Sequence, residues 1–369
     1  MQKQLLQATS LLIGTTVGAG ILALPYTIQK AGFLTGLVTM VLVGLIVLCM
    51  NIMLAKVTIY TKGLHQLTGY AKIYLGKIGK RLMAASMVVG IYGALLAYLI
   101  GEGSTLSAIF GGPAFLYSVI FFLIASYIVF KGLKQVAISE TYMVPIVVGV
   151  IILIFFFSFP KINTQNLIDF KAKDLLIPYG SILFAFLGTA AIPEIRQKVG
   201  NNKKLIIKSI ILGFLIPLSL YALFAFSSIG VLGKNITQVA TIGLGDILGY
   251  KMVILGNIFA AFAMATSFIA LALAIKEMYY YDYKLNQDWS FLLTVFIPLF
   301  LFLIGFKDFI TIVSLTGALA GGLDGILIAI MYTKARQKVK KIRELDYILS
   351  TILILAFLFG IIYTFSNFF

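Results

Sequence analysis

The chain has 369 residues, of which 61% are hydrophobic and only 11% are charged, and its formal net charge is +16. This composition is typical of a polytopic membrane protein and argues against a soluble fold. The single cysteine, Cys49, excludes an intrachain disulfide. Because His65 is the only histidine, we expect no Cys/His metal site and no bound cofactor.

A membrane-spanning helix needs about 20 predominantly apolar residues. On that criterion the sequence predicts eleven spanning segments, at residues 5–30, 32–60, 82–110, 113–131, 137–159, 174–196, 205–232, 246–278, 289–306, 308–333 and 346–367. The polar stretch 61–81 is long enough for a short amphipathic helix. No linker divides the chain, so residues 1–369 are predicted to form one transmembrane domain.

The basic residues are unevenly distributed between the two sides of the membrane. With the N-terminus in the cytoplasm, most of the 29 Lys and Arg residues fall into cytoplasmic loops, as the positive-inside rule requires. Eleven crossings then place the C-terminus outside. We interpret the positive net charge as a topology signal, and we expect the basic loops to have some affinity for anionic lipid. We expect no nucleic-acid partner. The predicted location is the plasma (inner) membrane of a prokaryotic cell.

Two segments carry residues that disfavour a continuous helix. The first contains Gly14-Thr-Thr-Val-Gly-Ala-Gly-Ile-Leu-Ala-Leu-Pro25, and the sixth contains Gly188 and Pro193. Lipid offers no partners to freed backbone groups, so such breaks must face protein, a cavity or a ligand. Interrupted helices five segments apart point to a substrate site within an inverted repeat. The alternative is that Gly and Pro are simply common in transmembrane helices.

Interrupted helices suit a zwitterionic ligand. The N-terminus of a half-helix presents N–H groups and a positive dipole end to a carboxylate. Unwound carbonyls can accept hydrogen bonds from an ammonium group. We therefore expect an amino acid as the small-molecule substrate. Residues 1–159 would form the first repeat, 174–333 the inverted repeat, and 346–367 an extra helix.

Two acidic residues lie inside predicted spanning segments: Glu102 in the third and Asp324 in the tenth. Ionisable residues in a membrane are costly and usually functional, so both are candidates for carrying a coupling proton. Asp324 is favoured because glycines surround it. For each residue the alternative is a hydrogen-bonded structural acid.

Four stretches in chain order resemble a known family. They are the first-segment stretch at 14–25, Tyr92-Gly-Ala-Leu-Leu-Ala-Tyr-Leu-Ile-Gly-Glu-Gly103, the pair Ala191-Ile-Pro-Glu194 and Ile210-Ile-Leu-Gly-Phe-Leu-Ile-Pro-Leu-Ser-Leu-Tyr221, and Ala265-Thr-Ser-Phe-Ile-Ala-Leu-Ala-Leu273. Together they resemble the amino acid/auxin permease family and its bacterial aromatic amino acid permease relatives, within the amino acid–polyamine–organocation superfamily.

The resemblance implies an all-α membrane protein with eleven transmembrane helices. It implies a LeuT-type 5+5 inverted repeat with discontinuous helices 1 and 6, plus an eleventh helix. The implied function is secondary active transport: symport of an amino acid with Na⁺ or H⁺ by alternating access. The residues implied at the substrate are Thr15, Gly18, Ala19, Gly20, Tyr98, Phe186, Gly188 and Thr189. Packing within the bundle is the alternative role for Tyr98.

The eighth segment places Ala263, Thr266 and Ser267 on one helical face. In sodium-coupled relatives a similar patch binds Na⁺ with oxygens of the first helix, which the resemblance assigns to Gly14 and Val17. The patch could equally serve close helix packing. Na⁺ coupling and H⁺ coupling through Asp324 or Glu102 therefore both stay open.

An enzyme is not expected, because no serine–base–acid set, P-loop or pair of catalytic carboxylates is present. The functional alternative is a membrane amino-acid sensor, similar to the germinant-receptor subunits of the same superfamily. Lys276 and Glu277 stand where the aromatic permeases usually continue with an aromatic–Asp pair, which weakens any inference about an aromatic substrate. We expect a monomer.

Overall fold

The structure is a computed structural model that describes residues 2–132, 140–340 and 342–368, and all the regular elements it describes are helical. The fifth predicted segment therefore begins outside the described residues. In chain order the helices are α1 (Gln2–Thr16), α2 (Gly20–Ala31), α3 (Phe33–Tyr60), α4 (Leu67–Phe110), α5 (Ala114–Lys131), α6 (Glu140–Ser158), α7 (Tyr179–Ala185), α8 (Ala191–Val199), α9 (Lys203–Leu232), α10 (Ala240–Leu248), α11 (Tyr250–Glu277), α12 (Gln287–Leu303), α13 (Phe309–Thr316), α14 (Gly322–Lys338) and α15 (Glu344–Phe368).

Apolar length identifies the helices that can cross a membrane. Within the described ranges, eight are long and apolar enough, or up to nine if the bent pair α1–α2 counts as one span. Large apolar side chains also cover the outside of the bundle, for example Leu123 on α5 and Leu355 on α15, which are 61% and 60% exposed. Helices that are apolar on all faces are expected where lipid surrounds the protein.

Several boundaries differ from the sequence prediction by a few residues, and two of these differences change the description of a segment. The eighth segment was expected from residue 246, but that residue belongs to the short helix α10, and α11 begins only at Tyr250. Gly249, with φ of 93°, ends α10. The second difference concerns the third segment. α4 begins at Leu67, within the polar stretch, and is kinked at Gly76, so the expected amphipathic helix forms the first part of α4.

A π-helical segment, Gly317–Gly321, joins α13 to α14. A Cβ on Gly317 would lie 2.6 Å from the Phe184 nitrogen of α7, so only glycine permits this approach. On α4, Ser86 donates a hydrogen bond of 2.9 Å to the Ala320 carbonyl. The insertion therefore sits between α4 and α7, and it is the type of irregularity often found at functional sites.

A buried ion pair ties α15 to α14. The Arg336 guanidinium donates to Asp346 over 3.0 and 2.7 Å, and the Tyr332 hydroxyl donates to the same carboxylate over 2.7 Å. Arg336 and Asp346 are only 8% and 2% exposed. Two N–H groups of Arg336 share one carboxylate oxygen and the Tyr332 hydroxyl donates to the other, and these hydrogen bonds help to offset the cost of burying two charges.

Lys276 has a structural role at the end of α11. Its ammonium donates to the carbonyls of Val129 and Phe130 over 2.8 and 3.2 Å. These carbonyls belong to the last turn of α5, where a helix lacks internal partners and its dipole favours a cation. The residue that departs from the aromatic-permease pattern therefore caps a neighbouring helix.

Candidate functional site

The first predicted interruption is present and narrow. α1 ends at Thr16 and α2 begins at Gly20, and the chain bends by 58° between them. Gly14 and Pro25, which were expected to contribute to the break, lie inside α1 and α2. The open backbone is therefore confined to residues 17–19.

The second interruption is also present. α7 ends at Ala185 and α8 begins at Ala191, leaving residues 186–190 outside a helix. Within this turn the Ala191 N–H donates to Gly188 and the Ile192 N–H donates to Thr189. The sequence prediction of two interrupted helices is thus confirmed.

Glycines bring the two interruptions into contact. A Cβ on Gly20 would lie 2.6 Å from the Cα of Ala185, and a Cβ on Gly188 would lie 2.7 Å from the Thr16 hydroxyl. Real side chains do not approach so closely. Gly20 and Gly188, predicted as substrate residues, are thus required for the approach of the two helices.

Tyr221 bridges the two interruptions, although the sequence analysis did not name it as a site residue. From α9, its hydroxyl lies 2.9 Å from the Thr16 carbonyl and 2.8 Å from the Ala185 carbonyl, within donating distance of both. These are the last residues of α1 and α7, whose carbonyls lack intrahelical partners. Tyr221 is fully buried. The quoted stretch 210–221 contained it, but a tyrosine in an apolar helix carries no signal of such a role.

Tyr98 and Ser267 face the first interruption. The point where Gly18 would carry a Cβ lies 3.0 Å from the Tyr98 hydroxyl and 3.7 Å from the Ser267 hydroxyl. The hydroxyls come from α4 and α11 and converge on the break. The structure therefore brings together Gly18, Tyr98 and Ser267, which were assigned from three separate stretches.

Asp324 contacts the second interruption. Its Oδ2 accepts a hydrogen bond of 3.2 Å from the Thr189 hydroxyl, while its Oδ1 has no partner among the described residues. Asp324 is 7% exposed and lies in the first turn of α14, directly after the π-helical segment. The predicted proton carrier and a predicted substrate residue are therefore in direct contact.

Glu102 occupies a different position. It lies one helical turn beyond Tyr98 on α4 and is 1% exposed, and its Oε1 lacks a partner within the described part of the chain. Its neighbour Gly101 packs against Met264 of α11, and Gly103 packs against Ser118 of α5. No contact joins Glu102 to either interruption among the described residues.

The residues assigned to Na⁺ are only partly brought together. Thr266 donates its hydroxyl to its own helix, at the carbonyls of Phe262 and Ala263, over 2.9 and 3.1 Å. Val17 is buried in the break, whereas Gly14 lies one turn earlier in α1. Ser267 alone of the eighth-segment hydroxyls lies beside the break. The described residues contain no group of three or more His, Cys, Asp or Glu that could hold a metal ion.

The two ends of the site differ in exposure. Thr15, in the last turn of α1, and Ala190, at the end of the second interruption, are exposed. Toward α2 and α7 the helices are in contact: Thr27 and Ser181 share a hydrogen bond of 2.8 Å. Ala19 and Phe186 are buried, and the Phe186 ring packs 5.3 Å from Phe214.

Comparisons with known proteins identify the family of this chain. The tryptophan/tyrosine permease family model matches residues 1–366. Tyrosine-specific transport system 1 of Haemophilus influenzae is 28% identical over 293 residues, or 73% of this chain and 71% of that protein. Glutamine transporter 2 of Aliivibrio fischeri is 24% identical over 316 residues, or 81% of each chain.

The fold is shared with a solved structure, that of MhsT in complex with L-phenylalanine. The similarity has a TM-score of 0.71 at 16% sequence identity and covers 99% of this chain and 98% of MhsT. The predicted LeuT-type fold is therefore confirmed.

Proposed function

This chain belongs to the tryptophan/tyrosine permease family and is a multi-pass amino acid transporter of the plasma membrane, and on that premise we propose that it is a symporter working by alternating access. The observation that carries the proposal is the meeting of both interrupted helices at Tyr221, which holds one carbonyl from each. A substrate lying between the interruptions would meet helix N-termini and unwound carbonyls together.

The proposed architecture has eleven transmembrane helices. The nine spans counted by length become eleven when the 17-residue helix α12 and the interrupted pair α7–α8 are included. Residues 1–159 would form one repeat, 174–333 its inverted counterpart, and 346–367 the extra helix of the single domain 1–369. We propose that the protein is a monomer. From the distribution of basic residues we also propose a cytoplasmic N-terminus and an external C-terminus.

We propose an aromatic amino acid as the substrate. The family is named for tryptophan and tyrosine and the Haemophilus influenzae relative for tyrosine, while the Aliivibrio fischeri relative is named for glutamine. The substrate carboxylate would meet the N–H groups at the start of α2, between Gly18 and Gly20, because a helix N-terminus favours an anion. Its ammonium would meet the carbonyls around Gly188.

For the coupling ion we propose H⁺, carried by Asp324. Its carboxylate is buried, touches Thr189 in the second interruption, and keeps one oxygen without a described partner. A proton bound by Asp324 would change its hydrogen bond with Thr189, and so act directly on the second interruption. Glu102 is the weaker candidate, since it touches neither interruption. Na⁺ remains the second candidate because Ser267 lies beside Gly18.

The test is uptake of radiolabelled tyrosine by proteoliposomes under a pH gradient, a Na⁺ gradient or neither. We expect a pH gradient to drive uptake and unlabelled tryptophan to compete more strongly than glutamine. Asp324→Asn should abolish gradient-driven accumulation, whereas Glu102→Gln should retain it. If a Na⁺ gradient drives accumulation, and this accumulation is kept in Asp324→Asn and lost in Ser267→Ala, the coupling ion is Na⁺ and not H⁺.

The same liposomes distinguish a transporter from a sensor. A transporter exchanges internal for external amino acid without any gradient, so counterflow should be measurable for the wild type. Permease family membership does not favour the sensor alternative. Failure of all twenty amino acids to show either binding or counterflow would overturn the proposed mechanism.

A further inference from the structure

A basic cavity lies away from the substrate site, at the start of α4. It has a volume of about 320 Å³, and four cationic side chains line it: Lys72, Lys77, Lys80 and Arg81. Met278 and Tyr283, which follow α11, close it from the other side. We call this the basic pocket. The transport mechanism proposed above does not use it, and the inference below does not depend on that mechanism.

The kink in α4 creates the pocket. Gly76 has φ of 73° and ψ of −159°, a combination that is essentially restricted to glycine. Lys72 precedes the kink and Lys77, Lys80 and Arg81 follow it, so the bend turns both parts of the helix toward one cavity. Lys77, Lys80 and Arg81, spaced by three and four residues, share one helical face, and the kink brings Lys72 to the same cavity.

Among the described residues, none neutralises the charges of the basic pocket. No acidic residue lines the cavity, and none of its four cations forms an ion pair in the described part of the chain. Cations converging on one cavity repel each other unless an anion is bound between them. The pocket therefore fits a compact anion with several acceptor oxygens, such as a phosphate group.

Exposed apolar residues adjoin the basic pocket on the same helix. Ile78 is 72% exposed and Leu82 is 43% exposed, and their spacing of four places them on one face. Aliphatic side chains left uncovered beside lysines are typical of a membrane–water interface, where the stems and charged heads of lysines sit at different depths. The ligand is thus expected to have both an anionic head and apolar chains.

We propose that the basic pocket binds the phosphate headgroup of an anionic phospholipid from the adjoining leaflet. The phosphate oxygens lie among Lys77, Lys80 and Arg81, and the acyl chains run along Ile78 and Leu82. Basic pockets of membrane proteins recognise anionic headgroups in this way, with each Lys or Arg contributing to the attraction. The apolar contacts distinguish the lipid from a free phosphate ion.

The experiment measures lipid binding to the purified full chain by native mass spectrometry, with phosphatidylglycerol and phosphatidylcholine as probes. The pocket variant is Lys77→Gln/Lys80→Gln/Arg81→Gln. The matched control is Lys203→Gln/Lys204→Gln/Lys208→Gln, which removes the same charge from an open groove at the start of α9. We expect phosphatidylglycerol affinity to fall at least tenfold in the pocket variant and to stay within twofold of wild type in the control.

Two further results test the proposal. Ile78→Ser should weaken phosphatidylglycerol binding severalfold while leaving the cations in place, and it tests the site even if the triple variant fails to fold. Inorganic phosphate at millimolar concentration should not displace the lipid. Equal losses in the pocket and control variants, equal binding of phosphatidylcholine, or displacement by inorganic phosphate would each overturn the assignment.

Discussion

The two sides of the paired interruptions are built in opposite ways. On the side of α2 and α7, Gly20 touches Ala185 and a single hydroxyl pair joins Thr27 to Ser181. No ion pair links these two helices among the described residues. On the side of α1 and α8, Thr15 is exposed beside the break. The closed side thus depends on close packing of small residues, which can separate without breaking a buried charge pair.

The largest effect is expected from filling the closed side. Gly20→Val should reduce tyrosine uptake at least 100-fold, because even its Cβ would lie 2.6 Å from the Cα of Ala185. Gly149→Val is the matched control, since nothing lies within 4 Å of a Cβ at that helical position. Both proteins should be compared by size-exclusion profile before uptake is measured. Wild-type uptake by Gly20→Val would show that the contact is dispensable.

The difference in exposure can be measured with single cysteines in a Cys49→Ser background. Thr15→Cys should react with a water-soluble thiol reagent at least tenfold faster than Thr27→Cys, because Thr15 is exposed and Thr27 is 3% exposed. The rates are compared in detergent, where both ends of the protein are accessible. Equal rates would contradict the asymmetry, and faster labelling at Thr27 would reverse it.

Loss of the Tyr221 hydroxyl, which bridges the two interruptions, should have a smaller but measurable effect on uptake. Tyr221→Phe leaves the carbonyls of Thr16 and Ala185 without their hydroxyl partner. An unsatisfied buried group costs about 1–3 kcal/mol, so we expect a lower thermal unfolding temperature and a tenfold loss of uptake.

A second tyrosine separates positioning from general stability. Tyr92→Phe removes hydrogen bonds to Tyr279 and to the Leu293 carbonyl, away from both interruptions. It should lower the unfolding temperature comparably and leave tyrosine uptake near the wild-type value. Equal losses of uptake in Tyr92→Phe and Tyr221→Phe would reduce Tyr221 to a packing residue.

The smallest effect is expected at the hydroxyl pair of the closed side. Thr27→Val removes the 2.8 Å bond to Ser181, worth about 0.5–1.5 kcal/mol, which corresponds to roughly a two- to tenfold change in an equilibrium. Labelling of Thr15→Cys should slow by a factor in that range, because a larger fraction of molecules would have α2 and α7 separated. Thr58→Val is the control, since among the described residues that hydroxyl bonds only within its own helix, to the Ala55 carbonyl. No change in the labelling rate would assign the closure to glycine packing alone.

The interruptions were predictable because their cause is local. Glycines and a proline weaken a helix wherever they stand, so both breaks could be located to within a few residues from the sequence. Their exact extent was not predictable. Gly14 and Pro25 remain helical, because tertiary packing overrides the modest propensity cost of single residues.

Contacts between distant segments could not be predicted in the same way. The Thr189–Asp324 hydrogen bond joins residues 135 positions apart, and it depends on a π-helical insertion with no distinctive sequence pattern. Tyr221 is one of 19 tyrosines, and only the fold distinguishes it from the others. The short helix α10 was also missed, since nine residues are too few for a clear periodic pattern.

The Arg336–Asp346 ion pair gives the last helix a charged attachment to the bundle in addition to its apolar packing. If Asp346 were replaced while α15 stayed in place, Arg336, 8% exposed, would lose the carboxylate that accepts two of its hydrogen bonds. A buried charge left alone costs about 3–5 kcal/mol, a large share of the stability of an ordinary domain. The attachment of α15 to α14 therefore depends strongly on a single carboxylate in the first turn of the last helix.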